Sequence, residues 1–231
     1  SNKLRAALTM LGVIIGVAAV IALLSIGNGV TASINDEINA IGTNLIVITT
    51  NADNSDGYPT LTLADVAALS DQLRAPDVTD VAATAGGNFA VTAGGNSTRT
   101  SVEGVTANYF RVNNLDEFAA GDTLTDNDVA TQARVAVIGD QLAQDLFPDS
   151  FPVGQSVKIN GASYEVVGVL VSSGSAFSNT DGTVYVPIST AQARLVTNRT
   201  RQGEKSVDSI VAQAVSADRN EAALEQITAV L

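Results

Sequence analysis

The chain has 231 residues, 24 of them acidic and 12 basic, a net charge of −12 at pH 7, and neither His nor Cys. That inventory excludes nucleic acid and anionic lipid as electrostatic partners, zinc sites of the usual kind, and Ser–His or Cys–His catalysis. Apolar residues make up 45 % and aromatics only 4 %, so a core is available and a base-stacking surface is not.

Residues 6–34 carry no charge, and residues 8–26 (LTMLGVIIGVAAVIALLSI) are almost wholly apolar. A helix of that length rises about 28 Å, close to the hydrocarbon thickness of a bilayer. The expectation is a membrane-spanning helix. Lys3 and Arg5 precede it while Asp36 and Glu37 follow, which puts the N-terminus in the cytoplasm and the main domain outside. A cleaved signal peptide is the competing interpretation; the apolar run is longer than the usual h-region, and the chain lacks an initiator Met, as a fragment of a longer protein would. Gly12 and Gly16 form G-x-x-x-G in the span, a spacing that lets two helix backbones approach or lets the helix pack on further spans of its own subunit.

Val30, Ile34, Ile38 and Ile41 keep one helical stripe, predicting a stalk over residues 27–41. Residues 45–49 (LIVIT) read as a buried strand, and residues 51–59 as a polar loop in which 51–57 fails the EF-hand template. Thr62 and Asp65 resemble a capping box for a helix to about Leu73 with Val66, Leu69 and Leu73 inward. Pro76 stops it, and residues 78–84 complete a β-α-β unit. Two Gly-Gly-Asn triplets, Gly86-Gly87-Asn88 and Gly94-Gly95-Asn96, predict two turns of a meander with strands near 89–92 and 98–105.

Residues 106–110 predict a helical turn, and 116–128 an acidic loop. A strand at 134–138 and a short helix carrying Leu142 and Leu146 follow, before Pro148 and Pro152 break the chain. Asn160-Gly161 between alternating strands predicts a type I′ hairpin whose return strand runs to about Leu170. A Ser/Gly-rich loop at 172–181 leads to a strand at 183–186. Arg194, Arg199, Arg201 and Lys205 cluster in an expected connecting loop, either solvated or facing an acidic partner. Residues 206–215 read as a strand, and Asp218 with Glu221 as a second capping box, opening a helix with Leu224, Ile227 and Leu231 on one face. The chain stops inside that helix, which reads as truncation.

Catalytic motifs are missing. No G-x-x-x-x-G-K-[ST] precedes Lys3, Lys158 or Lys205, and Gly161-Ala162-Ser163-Tyr164-Glu165 departs from a nucleophile elbow at its last position. No catalytic, cofactor-binding or metal residue is assigned; an enzyme would be confined to carboxylate-only chemistry.

In order along the chain, residues 2–20 (NKLRAALTMLGVIIGVAAV), Gly42-Thr43-Asn44-Leu45, residues 104–110 (GVTANYF), Val137-Ile138-Gly139, Leu146-Phe147, residues 152–155 (PVGQ), residues 164–170 (YEVVGVL) and residues 184–187 (VYVP) resemble the MacB family of bacterial ABC-transporter permeases. The resemblance implies an α+β fold: an N-terminal transmembrane helix and stalk at 1–31, a β-α-β layer from 32–105 and 200–231, and an inserted β-rich lobe at 106–199. It further implies an inner-membrane location, a dimer of permease subunits, an ABC ATPase hydrolysing ATP on another domain or chain, mechanotransmission to export or extraction outside the membrane, and in some systems a periplasmic adaptor. The alternative is a singly anchored module that binds a peptide or lipoprotein without coupling to ATP.

Overall fold

The computed structural model describes residues 3, 8, 10–12, 14–21, 23, 25, 44–50, 58–174 and 179–231. Two units are present, Ser1–Ile41 and Gly42–Leu231. In the first, the described residues are helical, and large apolar side chains such as Leu11, Ile14, Val17 and Ile21 are exposed. Among the described residues no helix is long and apolar enough to cross a membrane. The stalk at 27–41 and residues 51–57 of the polar loop lie outside the described residues.

In the second unit the described residues build one nine-stranded sheet. Its strands are β1 (Leu45–Thr49), β2 (Val78–Ala93), β3 (Asn96–Val105), β4 (Phe118–Gly121), β5 (Val135–Ile138), β6 (Ser156–Ile159), β7 (Ala162–Leu170), β8 (Val184–Pro187) and β9 (Ser209–Ala214). The order is β1-β9-β2-β3-β8-β5-β7-β4, with β6 pairing both β2 and β7. Six helices accompany them: α1 (Leu63–Leu69), α2 (Tyr109–Val112), α3 (Asp126–Thr131), α4 (Asp140–Leu146), α5 (Ile188–Arg194) and α6 (Asn220–Val230). The expected mixed α+β class is observed.

The predicted β-α-β unit forms with its strands apart. β9 is antiparallel to both β1 and β2 and lies between them, so β1 and β2 are parallel without touching. Strand β1 has the predicted bounds, but it is a half-buried edge rather than a buried strand, with Val47 63 % exposed. At α1 the Asp65 carboxylate accepts from the Thr62 N–H and hydroxyl, at 2.7 and 2.8 Å, as the capping box requires. The helix stops at Leu69, four residues early, because Asp71 starts a separate turn: its carboxylate takes the Leu73 N–H and its carbonyl takes Arg74 and Ala75. Leu73 is therefore 94 % exposed instead of inward.

The first predicted Gly-Gly-Asn turn does not exist. β2 runs through it for 16 residues, pairing with β9 over its first half and β3 over its second, and only Gly94-Gly95 turns, with Gly94 at φ +61. The long strand makes the sheet continuous, so one wall serves two hydrophobic cores. Ile46, Ile48, Leu69, Val81, Ile210 and Ile227 belong to one, and Val91, Val102, Ile138, Leu142, Ile159 and Tyr164 to the other.

The β6–β7 hairpin matches its prediction, with Ile159 opposite Ala162 and both Asn160 and Gly161 at positive φ. The expected acidic loop instead holds β4 and the start of α3, which Thr125 and Asp128 cap reciprocally. The second predicted capping box is not made. A 3-10 turn at Ala217–Arg219 precedes α6, whose N-cap Arg219 lends no side-chain bond. The inward face of α6 is Ala223, Ile227 and Val230, leaving Leu224 and Leu231 exposed. Helix α5, for which no element is expected, follows Pro187 with Ile188, Ala191 and Leu195 at helical spacing; it ends at Arg194, and the expected connecting loop carries Arg199, Arg201 and Lys205.

Candidate functional site

Chain enters the second unit's sheet through β1 and leaves it through α6, and these two ends are joined. The Asn44 side-chain amide donates to the Ala214 carbonyl at 2.8 Å, and the Ala214 N–H returns to the Asn44 carbonyl at 2.8 Å. Next to them Val215 N–H donates to the Asp77 carbonyl at 2.9 Å. The Asp77 carboxylate, 8 % exposed, receives Nε and Nη2 of Arg219 at 2.8 and 2.9 Å and Nε2 of Gln226 at 2.6 Å. Gln226 Oε1 in turn accepts the Asp77 N–H at 3.0 Å. A two-pronged guanidinium–carboxylate pair fixes orientation as well as distance. Beneath it Ile46 and Ile48 of β1 share a core with Ala223, Ile227 and Val230 of α6. The two ends of this unit are thus held by a polar clamp over an apolar seat.

Hydrogen bonds from Arg219, ahead of the opposing effect of burial, hold the Asp77 carboxyl below its ordinary value of 3.8. A depressed folded-state pKa contributes stability above the unfolded value and loses it as pH falls through the folded one. The clamp is therefore intact at neutral pH and opens in strong acid.

A second tie holds the connection between the two cores. Asn108 at the N-cap of α2 and Arg111 within α2 both bind Asp80 in β2, and Asn108 also donates to the Val81 carbonyl at 2.9 Å. On the same side of the sheet Tyr109, Phe110, Phe118 and Tyr185 form an aromatic cluster with centroids 5.3–5.8 Å apart. Glu103, opposite Tyr185 in the β3–β8 ladder, lies against it. Burial first, then the nearby Asp208 carboxylate, pushes Glu103 above its ordinary 4.5. Because the folded form holds its proton longer, stability is full below pH 4.5 and declines as pH rises through the folded pKa. Glu103→Gln is expected to remove that decline, raising the urea midpoint at pH 7 and leaving it unchanged at pH 4.

No group of three or more acidic side chains placed to hold a metal ion occurs among the described residues. Gly12 and Gly16 both fall in the helical stretch, and among the described residues nothing lies within 4 Å of where a Cβ would stand on either. Sequence reasoning misses the Asp77–Arg219–Gln226 clamp entirely. Its partners are 142 and 149 residues apart, and only the neighbouring Pro76 break marks the place.

The family described as the MacB-like periplasmic core domain matches residues 6–230. A macrolide export ATP-binding/permease protein MacB from Azoarcus is 35 % identical over 204 residues, 86 % of this chain and 30 % of that protein. Its counterpart from Burkholderia thailandensis is 32 % identical over 234 residues, 99 % of this chain and 34 % of that protein. The chain thus spans about a third of the length of these relatives. Among solved structures, the periplasmic region of MacB from Actinobacillus actinomycetemcomitans superposes with a TM-score of 0.68 at 24 % identity, over 84 % of this chain and 85 % of that one. The extracellular domain of the noncanonic ABC-type transporter YknZ from Gram-positive bacteria gives 0.65 at 24 % identity, over 81 % and 92 %. At such identities the two structures speak to the fold.

Proposed function

The chain belongs to the MacB-like periplasmic core domain family, and from that membership we propose that it is the extracytoplasmic transmission domain of an ABC-transporter permease. ATP is hydrolysed on a cytoplasmic ATPase domain or subunit, and motion reaches this domain through the segments before β1 and after α6. There it drives export or extraction of a substrate already outside the membrane. Residues 8–26 are the span that anchors it, single-pass here with the N-terminus cytoplasmic, and Gly12 and Gly16 mark a close helix-packing face. Two permease subunits pair, and a periplasmic adaptor is a candidate partner.

The proposed mechanical division keeps residues 32–105 with 200–231 as the layer nearest the joint and 106–199 as the lobe that β2 and β3 carry. What supports transmission is the joint itself. Asp77, Arg219 and Gln226 tie the start of β2 to α6, and Asn44 ties the approach to β1 to the end of β9. A displacement of either chain end is thereby shared with the sheet rather than absorbed at a loose hinge.

The test uses the whole transporter that contains this chain. Arg219→Ala with Gln226→Ala is expected to leave ATP hydrolysis within about twofold while export falls roughly tenfold, a loss of about 1.4 kcal/mol in coupling. Export undiminished in a variant whose fold is intact by circular dichroism would rule the transmission role out.

A further inference from the structure

Within a chain of net charge −12, one corner is basic. Helix α5 ends at Arg194, and the loop behind it folds into a small hairpin. Arg199 bridges to Lys205, the Thr200 N–H donates to the Glu204 carbonyl at 2.9 Å, and Arg199 Nη1 donates to the Gly203 carbonyl at 2.8 Å. The Gln192 amide holds the hairpin's base against α5 through the Ser206 carbonyl at 2.8 Å. On the other side of α5, Thr190 donates to the Ala133 carbonyl at 2.8 Å, which sets the helix beside Arg134. Arg194 is one turn beyond Thr190. Arg134, Arg194, Arg199 and Lys205 are all exposed. Among the described residues neither Arg134 nor Arg194 forms an ion pair.

Within electrostatic reach of these two guanidiniums lies an unused donor. Tyr164 is 1 % exposed in the core that includes Ala191 and Leu195, and its hydroxyl has no partner among the described residues. The Glu165 N–H, next along β7, donates to the Arg134 carbonyl at 2.9 Å, fixing Tyr164 beside Arg134. Burial pushes the Tyr164 pKa above its ordinary 10, while Arg194 and then Arg134 pull it the other way. At neutral pH the group is an O–H donor without an acceptor, next to two unpaired cations. Leaving a buried donor unmet is costly, and an acceptor that meets it recovers that cost.

We infer that Arg134, Arg194 and the Tyr164 hydroxyl form an anchoring notch for a carboxylate, and that with Arg199 and Lys205 they dock an acidic peptide segment of a partner protein. The planar guanidinium fork suits a carboxylate, and docking requires a side-chain shift at this surface that uncovers Tyr164 Oη, which then adds a neutral donor to the same oxygen pair. Flanking cations extend the footprint along a chain of acidic residues and speed encounter. The docking role is independent of the transmission role.

Titration of the full chain in detergent with a hexaglutamate peptide tests it, with hexalysine as the control. Binding that weakens as salt is raised is expected, and Arg134→Gln with Arg194→Gln should weaken it at least tenfold. Neither substitution touches a fully buried side chain. Tyr164→Phe should weaken binding several-fold while leaving the thermal midpoint equal or higher, the opposite of what a purely structural tyrosine would give. Three outcomes overturn the proposal: no binding of hexaglutamate, binding that the double arginine variant leaves unchanged, or equal displacement by anionic vesicles, which would make the patch a lipid surface.

Discussion

Gly104→Ala is expected to destabilise the chain by about 3 kcal/mol, the upper end of what overpacking a tight core costs. A Cβ at this position would stand 2.2 Å from the Ala191 Cβ, 3.0 Å from the Ala85 carbonyl oxygen and 3.1 Å from the Ile188 Cα. Carbon atoms rest about 3.5–4.0 Å apart, so α5 would have to lift off β3 by more than an ångström. That helix cannot move alone, because Ser189 and Thr190 bind the Val129 and Ala133 carbonyls and Gln192 binds Ser206. Urea denaturation of the full chain in detergent reads the loss. Gly94→Ala is the control: its Cβ meets open space, and only the positive φ of +61 is penalised, at about 1 kcal/mol. Equal losses at the two positions would mean that the close seat of α5 on β3 is not what Gly104 serves.

Phe110→Ala should cost about 4 kcal/mol, within the usual range for emptying a buried phenylalanine site. Phe110 is 1 % exposed, and its ring meets Tyr109, Phe118 and Tyr185 edge-on. Those contacts join α2, β4 and β8, three short elements of four residues each. So short a helix has little stability of its own and stands on tertiary contacts. Three walls of the cavity left by the ring are other rings, which limits how far it can collapse. Phe151→Ala, at 65 % exposure, should change stability by less than about 0.5 kcal/mol. The two variants compared in one urea series separate burial from residue type.

Elements whose cause lies within a few residues are legible in the sequence. Strand β1 has its predicted bounds because five β-favouring residues follow Gly42-Thr43-Asn44, and the β6–β7 hairpin has its predicted turn because Asn160 and Gly161 accept positive φ. Leu142 and Leu146 are buried on α4 as their spacing requires. The Thr125/Asp128 cap and the periodicity of α5 are equally local signals; the first is masked by the acidic residues that make its stretch read as a loop. By contrast, the insertion of β9 between β1 and β2, and the Asp77 clamp, join segments more than a hundred residues apart. No local pattern records such a pairing, because the free energy that selects it comes from burial shared by the two segments.

Two copies of one triplet show where the line falls. Composition, charge, the absence of His and Cys, the alternation of strands and the ordered family motifs are all determined by the sequence. Gly86-Gly87-Asn88 and Gly94-Gly95-Asn96 are the same letters, yet the second turns and the first stays in β2. At Gly86 the N–H donates to the Asp208 carboxylate at 2.7 Å, and a Cβ would stand 2.6 Å from the Val102 carbonyl oxygen. The glycine there serves close approach of a neighbouring strand, a demand set by residues far along the chain, whereas at Gly94 nothing within 4 Å constrains it and the local preference for a turn prevails.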